Sequence, residues 1–118
     1  MSEEEKPSWR RDWLPAPNAF SLDLACATIN RAHGGLGCFL VGSALERRTF
    51  RDVDVRLILE DGDFDQLFPV DTTRWSLMCV AYSMWLSSVT GLPVDFQFQR
   101  QSHANAAHAG PRSALGVY

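Results

Sequence analysis

Apolar and polar positions follow two periods along this chain, and each period predicts a different kind of element. From Ser21, a candidate N-cap, LDLACATINRAH repeats Leu22, Ala25, Cys26 and Ile29 at helical spacing, and Gly34-Gly35 supplies a stop. LGCFLVG is an apolar run of buried-strand character, ended by Gly42-Ser43 at a turn that feeds a short helix around ALERR. DVDVRLILE alternates with period two, so Val53, Val55, Leu57 and Leu59 face one way while Asp52, Asp54, Arg56 and Ile58 face the other. The acidic segment DGDFDQLF, with its Asp61-Gly62 step, predicts a hairpin or loop. After Asp71, a candidate cap, TTRWSLMCVAYSMWLSSVT sets Trp75, Met78, Cys79, Tyr82, Leu86 and Val89 at helical spacing before Gly91, which predicts the main packing helix. LPVDFQFQ returns to alternation, with Val94, Phe96 and Phe98 opposite Asp95 and Gln97, and Pro93 near its start favours an outer strand. The rest, RQSHANAAHAGPRSALGVY, predicts a short helix from Ser102 to about Ala109 and an irregular end.

These elements make an α/β (α+β) fold, a small mixed β-sheet packed against helices. Residues 1–20 are polar at first and contain Pro7, Pro15 and Pro17, so they read as an extended arm with Trp9, Trp13, Leu14 and Phe20 as anchors; residues 21–118 form the domain, with a short C-terminal tail. At 118 residues there is room for one modest core and for one half of an active site, not for a separate acceptor-binding module. The formal charge of -3 argues against indiscriminate nucleic-acid binding. All acidic residues lie at or before Asp95, which leaves Arg100, Arg112, His103 and His108 in a locally basic C-terminal stretch, either a solvated tail or a neighbour of phosphate. Cys26, Cys38 and Cys79 are widely spaced in apolar surroundings and read as reduced core residues. The opening SEEEKPSWRRDW lacks the basic start and apolar run of a signal peptide, and no segment has membrane-spanning character, so the expected location is cytoplasmic.

The chemistry sits in three places. Asp52 and Asp54, two apart on one strand, bring two negative groups to one face, a repulsion that bound cations offset. Asp95 supplies a third carboxylate from a second strand. Mg2+ takes oxygen ligands and uses one or two carboxylates plus substrate phosphate, so the three serve one or two ions. In a two-ion arrangement Asp52 and Asp54 hold the ion on a triphosphate and share with Asp95 a second ion that activates a hydroxyl. Gly42 permits close backbone approach, and Ser43 offers a hydroxyl and an amide to a phosphate oxygen.

On these pieces, LVGS at 40–43, DVDV at 52–55 and PVDF at 93–96, the chain resembles the DNA polymerase β-like nucleotidyltransferase superfamily, particularly its minimal single-domain members. The resemblance spans about residues 21–99. It implies that Gly42 and Ser43 contact the triphosphate of an NTP, that Asp52 and Asp54 are paired metal ligands for Mg2+ or Mn2+, and that Asp95 is the hydroxyl-side carboxylate. The eight residues ALERRTFR between Ser43 and Asp52 are a shorter and more basic connection than the family usually has. Arg47, Arg48 and Arg51 there either help neutralise phosphate or pair with Asp61, Asp63 or Asp65.

The expected activity is transfer of a nucleoside monophosphate to a hydroxyl on an acceptor, protein or nucleic acid, with a homo- or hetero-oligomer completing the acceptor side. The contrasting expectation is a catalytically inactive nucleotide-binding or protein-interaction module with the same fold. His33, His103 and His108 form no zinc pattern and read as surface or capping residues, and Gly34-Gly35-Leu36-Gly37 matches neither dinucleotide nor Walker-type patterns. Trp75 and Trp85 read as packing residues of the long helix.

Overall fold

A computed structural model describes residues 14, 16–42, 52–69, 72–108, 110 and 112–117. The described elements are α1 (Ala16–His33), β1 (Gly37–Val41), β2 (Val53–Leu59), α2 (Asp61–Leu67), α3 (Thr72–Thr90), β3 (Val94–Arg100), α4 (Gln101–Ala107) and β4 (Ser113–Leu115). The sheet runs in the order β3-β2-β1-β4. β1 pairs antiparallel with both β2 and β4, and β2 pairs parallel with β3, which makes the expected mixed sheet. No helix among the described residues is long and apolar enough to cross a membrane.

α1 and α3 pack on each other, α1 against β1 and α3 against β3. Leu22, Ala25, Cys26 and Ile29 of α1 are buried, as their spacing requires, against Val53, Val55, Leu57, Phe96 and Phe98 of the sheet. Burying large apolar side chains of this kind contributes about 1.5–3 kcal/mol each. All three cysteines are buried, in keeping with core roles. Gly34, Gly35 and Gly91 take positive φ at the two helix ends where the sequence placed stops.

Several expectations are corrected. Helix α1 begins at Ala16, so Ser21 is no cap: it lies within the helix and its hydroxyl donates to the Pro17 carbonyl at 3.1 Å. Pro17 fits the first turn, where its missing N–H has no helical partner to lose, so the proline that suggested an extended arm starts a helix instead. Of the expected arm anchors Leu14 is buried and Phe20 is exposed, while Trp9 and Trp13 lie outside the described residues. DGDFDQLF is helix α2, not a hairpin or loop: Asp61 and Asp63 sit favourably in its first turn, and Phe64 and Leu67 pack onto the core. The irregular end contains β4, whose Leu115 is buried and whose carbonyl accepts from Asn30 Nδ2 at 2.9 Å. His33 is partly buried, at 2.6 Å from the Tyr82 hydroxyl and edge-on to Phe98, instead of serving at the surface. Val89 and Trp85 leave the packing stripe of α3 for solvent, joining Leu77, Val80 and Met84 on its outer side. The short helix around ALERR and the Asp71 cap lie outside the described residues.

The rotation of α3 has a physical cause. β3 is the edge strand that Pro93 favoured, and the outward backbone groups of an edge strand need partners. Ser83 Oγ accepts from Phe96 N–H at 2.8 Å, Ser87 Oγ accepts from Val94 N–H at 3.0 Å, and Trp75 Nε1 donates to the Phe98 carbonyl at 2.9 Å. One row of α3, at intervals of four and eight residues, thus stands in for a neighbouring strand. Because that row faces β3, Val89 and Trp85 turn outward.

Candidate active site

The alternation of β2 sends Asp54, Arg56 and Ile58 to the sheet face opposite the main core. Helix α4 packs on β2 and β3, and its Ala104 is fully buried. Ile58 and Gln99 are buried on this face while Asp54 and Asp95 remain partly open, so the face is closed toward the ends of the strands and accessible at their beginnings.

At that open end the parallel register sets Asp54 directly beside Asp95. Residues paired in register share a sheet face, so the two carboxylates that the sequence placed on separate strands emerge together. Asp52 immediately precedes β2 and is exposed. On the other side of β2, Val41 pairs with Asp54, and Gly42 follows it at φ 77°. A Cβ at Gly42 would overlap the Asp54 carboxylate oxygen. The positive φ favours glycine, and any added side chain would also have to displace the Asp54 carboxylate. Ser43, Arg47, Arg48 and Arg51 lie outside the described residues.

Arg56 occupies the space between the two carboxylates. Its Nη1 donates to the carbonyls of Val55 at 3.0 Å and Asp95 at 2.8 Å, while Nη2 stands 3.4 Å from Asp95 Oδ2 and 4.0 Å from Asp54 Oδ1. The residue is only 9 % exposed. Sequence reasoning assigned it to the correct face but missed this role. The signal was present in its position: an arginine two residues after an aspartate on one strand face has its side chain beside that aspartate, and the apolar Ile58 beyond it marks the face as covered there.

Burial pushes the Asp54 carboxyl above the usual aspartate range; Arg56 opposes the shift, and the negative charges of Asp95 and Asp52 reinforce it. Ionised Asp54 is thus under-compensated, which is the condition a further cation relieves. Among the described residues no group of three or more His, Cys, Asp or Glu side chains is gathered closely enough to hold a metal ion. The donor set of Asp52, Asp54 and Asp95, all oxygen, matches what a hard divalent cation takes, and water and phosphate oxygens ordinarily complete such a shell. The carboxylates offer the donor chemistry of such an ion without gathering into a metal-holding group.

A groove of about 480 Å³ opens beside them, lined by Asp52, Asp95 and Gln97 on the strand side and by Trp75, Val80, Ser83 and Met84 of α3 on the other. The C-terminal cations have partners of their own. Arg100 pairs with Asp65 and lies over the Phe64 ring, and Asp61 accepts from the Ser102 N–H at 3.1 Å. Among the described residues Asp65 pairs with Arg100, and the connecting-loop arginines considered above lie outside them. Arg112 covers the Phe39 ring and donates to Asn105 at 3.2 Å. His108, held below the ordinary histidine range by burial and then by Arg56 and Arg112, feels the arginine of the carboxylate site. Comparison with family models, with curated proteins and with solved structures finds no match, so the resemblance to nucleotidyltransferases rests on the residues of this chain.

Proposed function

We propose that the protein is a metal-dependent nucleotidyltransferase that moves a nucleoside monophosphate from an NTP to a hydroxyl of an acceptor and releases pyrophosphate. The observation that carries this reading is the in-register pair Asp54–Asp95 on adjacent parallel strands, with the Gly42 turn closed against the Asp54 carboxylate. Mg2+, or Mn2+ in its place, would supply charge on the phosphate oxygens and acidify the attacking hydroxyl. Asp52 and Asp54 would hold the ion. Gly42, whose backbone runs close to the Asp54 carboxylate, would bring the turn toward the triphosphate, and Ser43 would contact it as the resemblance implies. Asp95 borders the groove and addresses the acceptor hydroxyl, as ligand or as base. Opening of the groove onto the surface suits an acceptor that is a macromolecule, protein or nucleic acid, presented from outside or by an oligomeric partner. A cytoplasmic location, where NTPs and Mg2+ are abundant, accords with this chemistry.

The alternative, a catalytically inactive nucleotide-binding or interaction module, draws on Arg56, whose guanidinium already balances part of the carboxylate charge. Incubation with Mg2+ or Mn2+, each labelled NTP and cell extract separates the two. The transferase reading expects pyrophosphate release and label on an acceptor, both lost in Asp52→Asn/Asp54→Asn. NTP binding without release or transfer would establish the alternative.

A further inference from the structure

Helix α3 lacks the polar side that a surface helix normally turns to water. Between Trp75 and Thr90 it carries no charged residue, and Leu77, Val80, Met84, Trp85 and Val89, each 42 to 68 % exposed, stand on its outer side. Together these five present on the order of 500 Å² of side-chain surface, near the upper limit of an ordinary monomer's largest apolar patch. A groove of about 320 Å³ follows the patch where α3 meets α1, with Trp85 and the small residues Thr28, Ala32 and Ala81 in its lining. We infer that this face is the contact between two copies of the chain, packed antiparallel through α3 about a two-fold axis at Ala81.

The face matches itself. Helix α3 spans Thr72–Thr90, so exposed Ala81 is its midpoint, and antiparallel copies crossing there overlap along their whole length. Leu77, Ala81, Met84 and Ser88 follow at intervals of four, three and four, the spacing of a helix-pairing seam. Positions four before and four after the axis meet, which sets Leu77 of each copy against Trp85 of the partner subunit. The methyl group of Ala81 at the axis permits the roughly 8–10 Å separation of closely packed helices. Such a pairing is the isologous contact of two-fold dimers, and patch, groove and rim together approach the roughly 800 Å² per partner of a standard interface. A second copy also brings no charge that would have to be buried. A lipid surface is a poorer match, because helices that lie on membranes border their apolar face with Lys and Arg, and α3 has only Arg74, at its start. Val80 and Met84 belong both to this face and to the groove at Asp95, so the second copy stands at the rim of that groove and gives it a further wall.

Sedimentation of the full chain at about 100 μM, where a Kd of about 10 μM still leaves most chains paired, should give twice the 13.2 kDa chain mass. Leu77 is 67 % exposed in the single chain, so Leu77→Glu should keep the helical circular dichroism while weakening the dimer at least about a hundredfold, through two carboxylates forced into an apolar contact. Ala81→Cys tests the axis. The three native cysteines are buried, so diamide, which takes up the two thiol hydrogens, should convert Ala81→Cys chains into disulfide-linked dimers. Ser88→Cys, whose two copies would lie about 20 Å apart along the helices, should stay unlinked.

A monomeric wild type overturns the inference and leaves the face to residues 1–13 or to a different protein. A dimer that Leu77→Glu does not weaken overturns it as well, and so does cross-linking of Ser88→Cys as fast as that of Ala81→Cys. If Leu77→Glu does not fold, the two cysteine variants decide. None of these readouts involves turnover, so the proposed transferase activity stands or falls separately.

Discussion

The two faces of β2 differ in what their side chains do for the protein. Val53, Val55, Leu57 and Leu59 on one face are buried in the main core, beside Phe96 and Phe98 of β3. Asp54 and Arg56 on the other hold charge in a partly desolvated place, at a cost that their mutual attraction only partly offsets. One residue of translation along the strand separates a stabilising position from a strained one. The lesson is that the polar face is poorly explained by stability: a surface that needed only to stay folded would place neither three carboxylates nor a buried arginine there.

Substitutions on each face should therefore have opposite profiles. Phe96→Ala, in the aromatic contact with Phe98 and Tyr82, should cost about 3–5 kcal/mol in denaturant unfolding. Its transfer activity per folded molecule should stay near wild type; a selective loss of activity would break the division between the faces. Ser83→Ala should cost about 1–3 kcal/mol, since it leaves the Phe96 N–H at the sheet edge without its hydroxyl partner. Its unfolding midpoint should fall while transfer per folded molecule holds. Gly42→Ala sharpens the comparison from the polar side. A left-handed backbone with a Cβ costs about 1–2 kcal/mol, and the displaced Asp54 carboxylate should lower labelled-NTP transfer.

The smallest expected effect is a pH dependence. His33 is held below the ordinary histidine range by burial, so the folded state keeps it neutral where the unfolded chain protonates it. Its contribution to stability is present above pH about 6.5, the unfolded value, and is lost as pH falls from there through the lowered folded value. His33→Gln should flatten that part of the stability curve. Asp54 has the opposite bias: its raised value makes the ionised form unfavourable in the fold, so the associated strain is relieved as pH falls through that value.

Much of the fold was legible because its strongest periodic signals were long. Leu22 to Ile29 and the α3 segment read as helices, and the alternation of DVDVRLIL fixed which residues share the Asp54 face. What escaped was short or cooperative. β4 has three residues, too few for a period to register, and exists through its ladder with β1 and the Asn30 contact. Helix α2 hides its few apolar contacts among aspartates that also suit a turn. Val89 and Trp85 fit a helical stripe, yet the demand of the β3 edge for Ser83, Ser87 and Trp75 sets the rotation of α3, and that demand is tertiary. At the site, Gly42, Asp54 and Asp95 were found from their motifs and adjoin one another in the fold, while the guanidinium between the carboxylates depends on where α4 and β3 bury it.

The division of labour on β2 is tested most directly by Asp54→Asn, with unfolding free energy and labelled-NTP transfer measured on the same preparation. The substitution removes a desolvated, like-charge-crowded carboxylate while nearly preserving its size, so stability should equal or exceed that of the wild type. Transfer should fall by at least about a hundredfold, because in the proposed transferase this charge positions the reacting phosphate. Transfer retained at the wild-type rate in a stably folded Asp54→Asn protein would contradict the account.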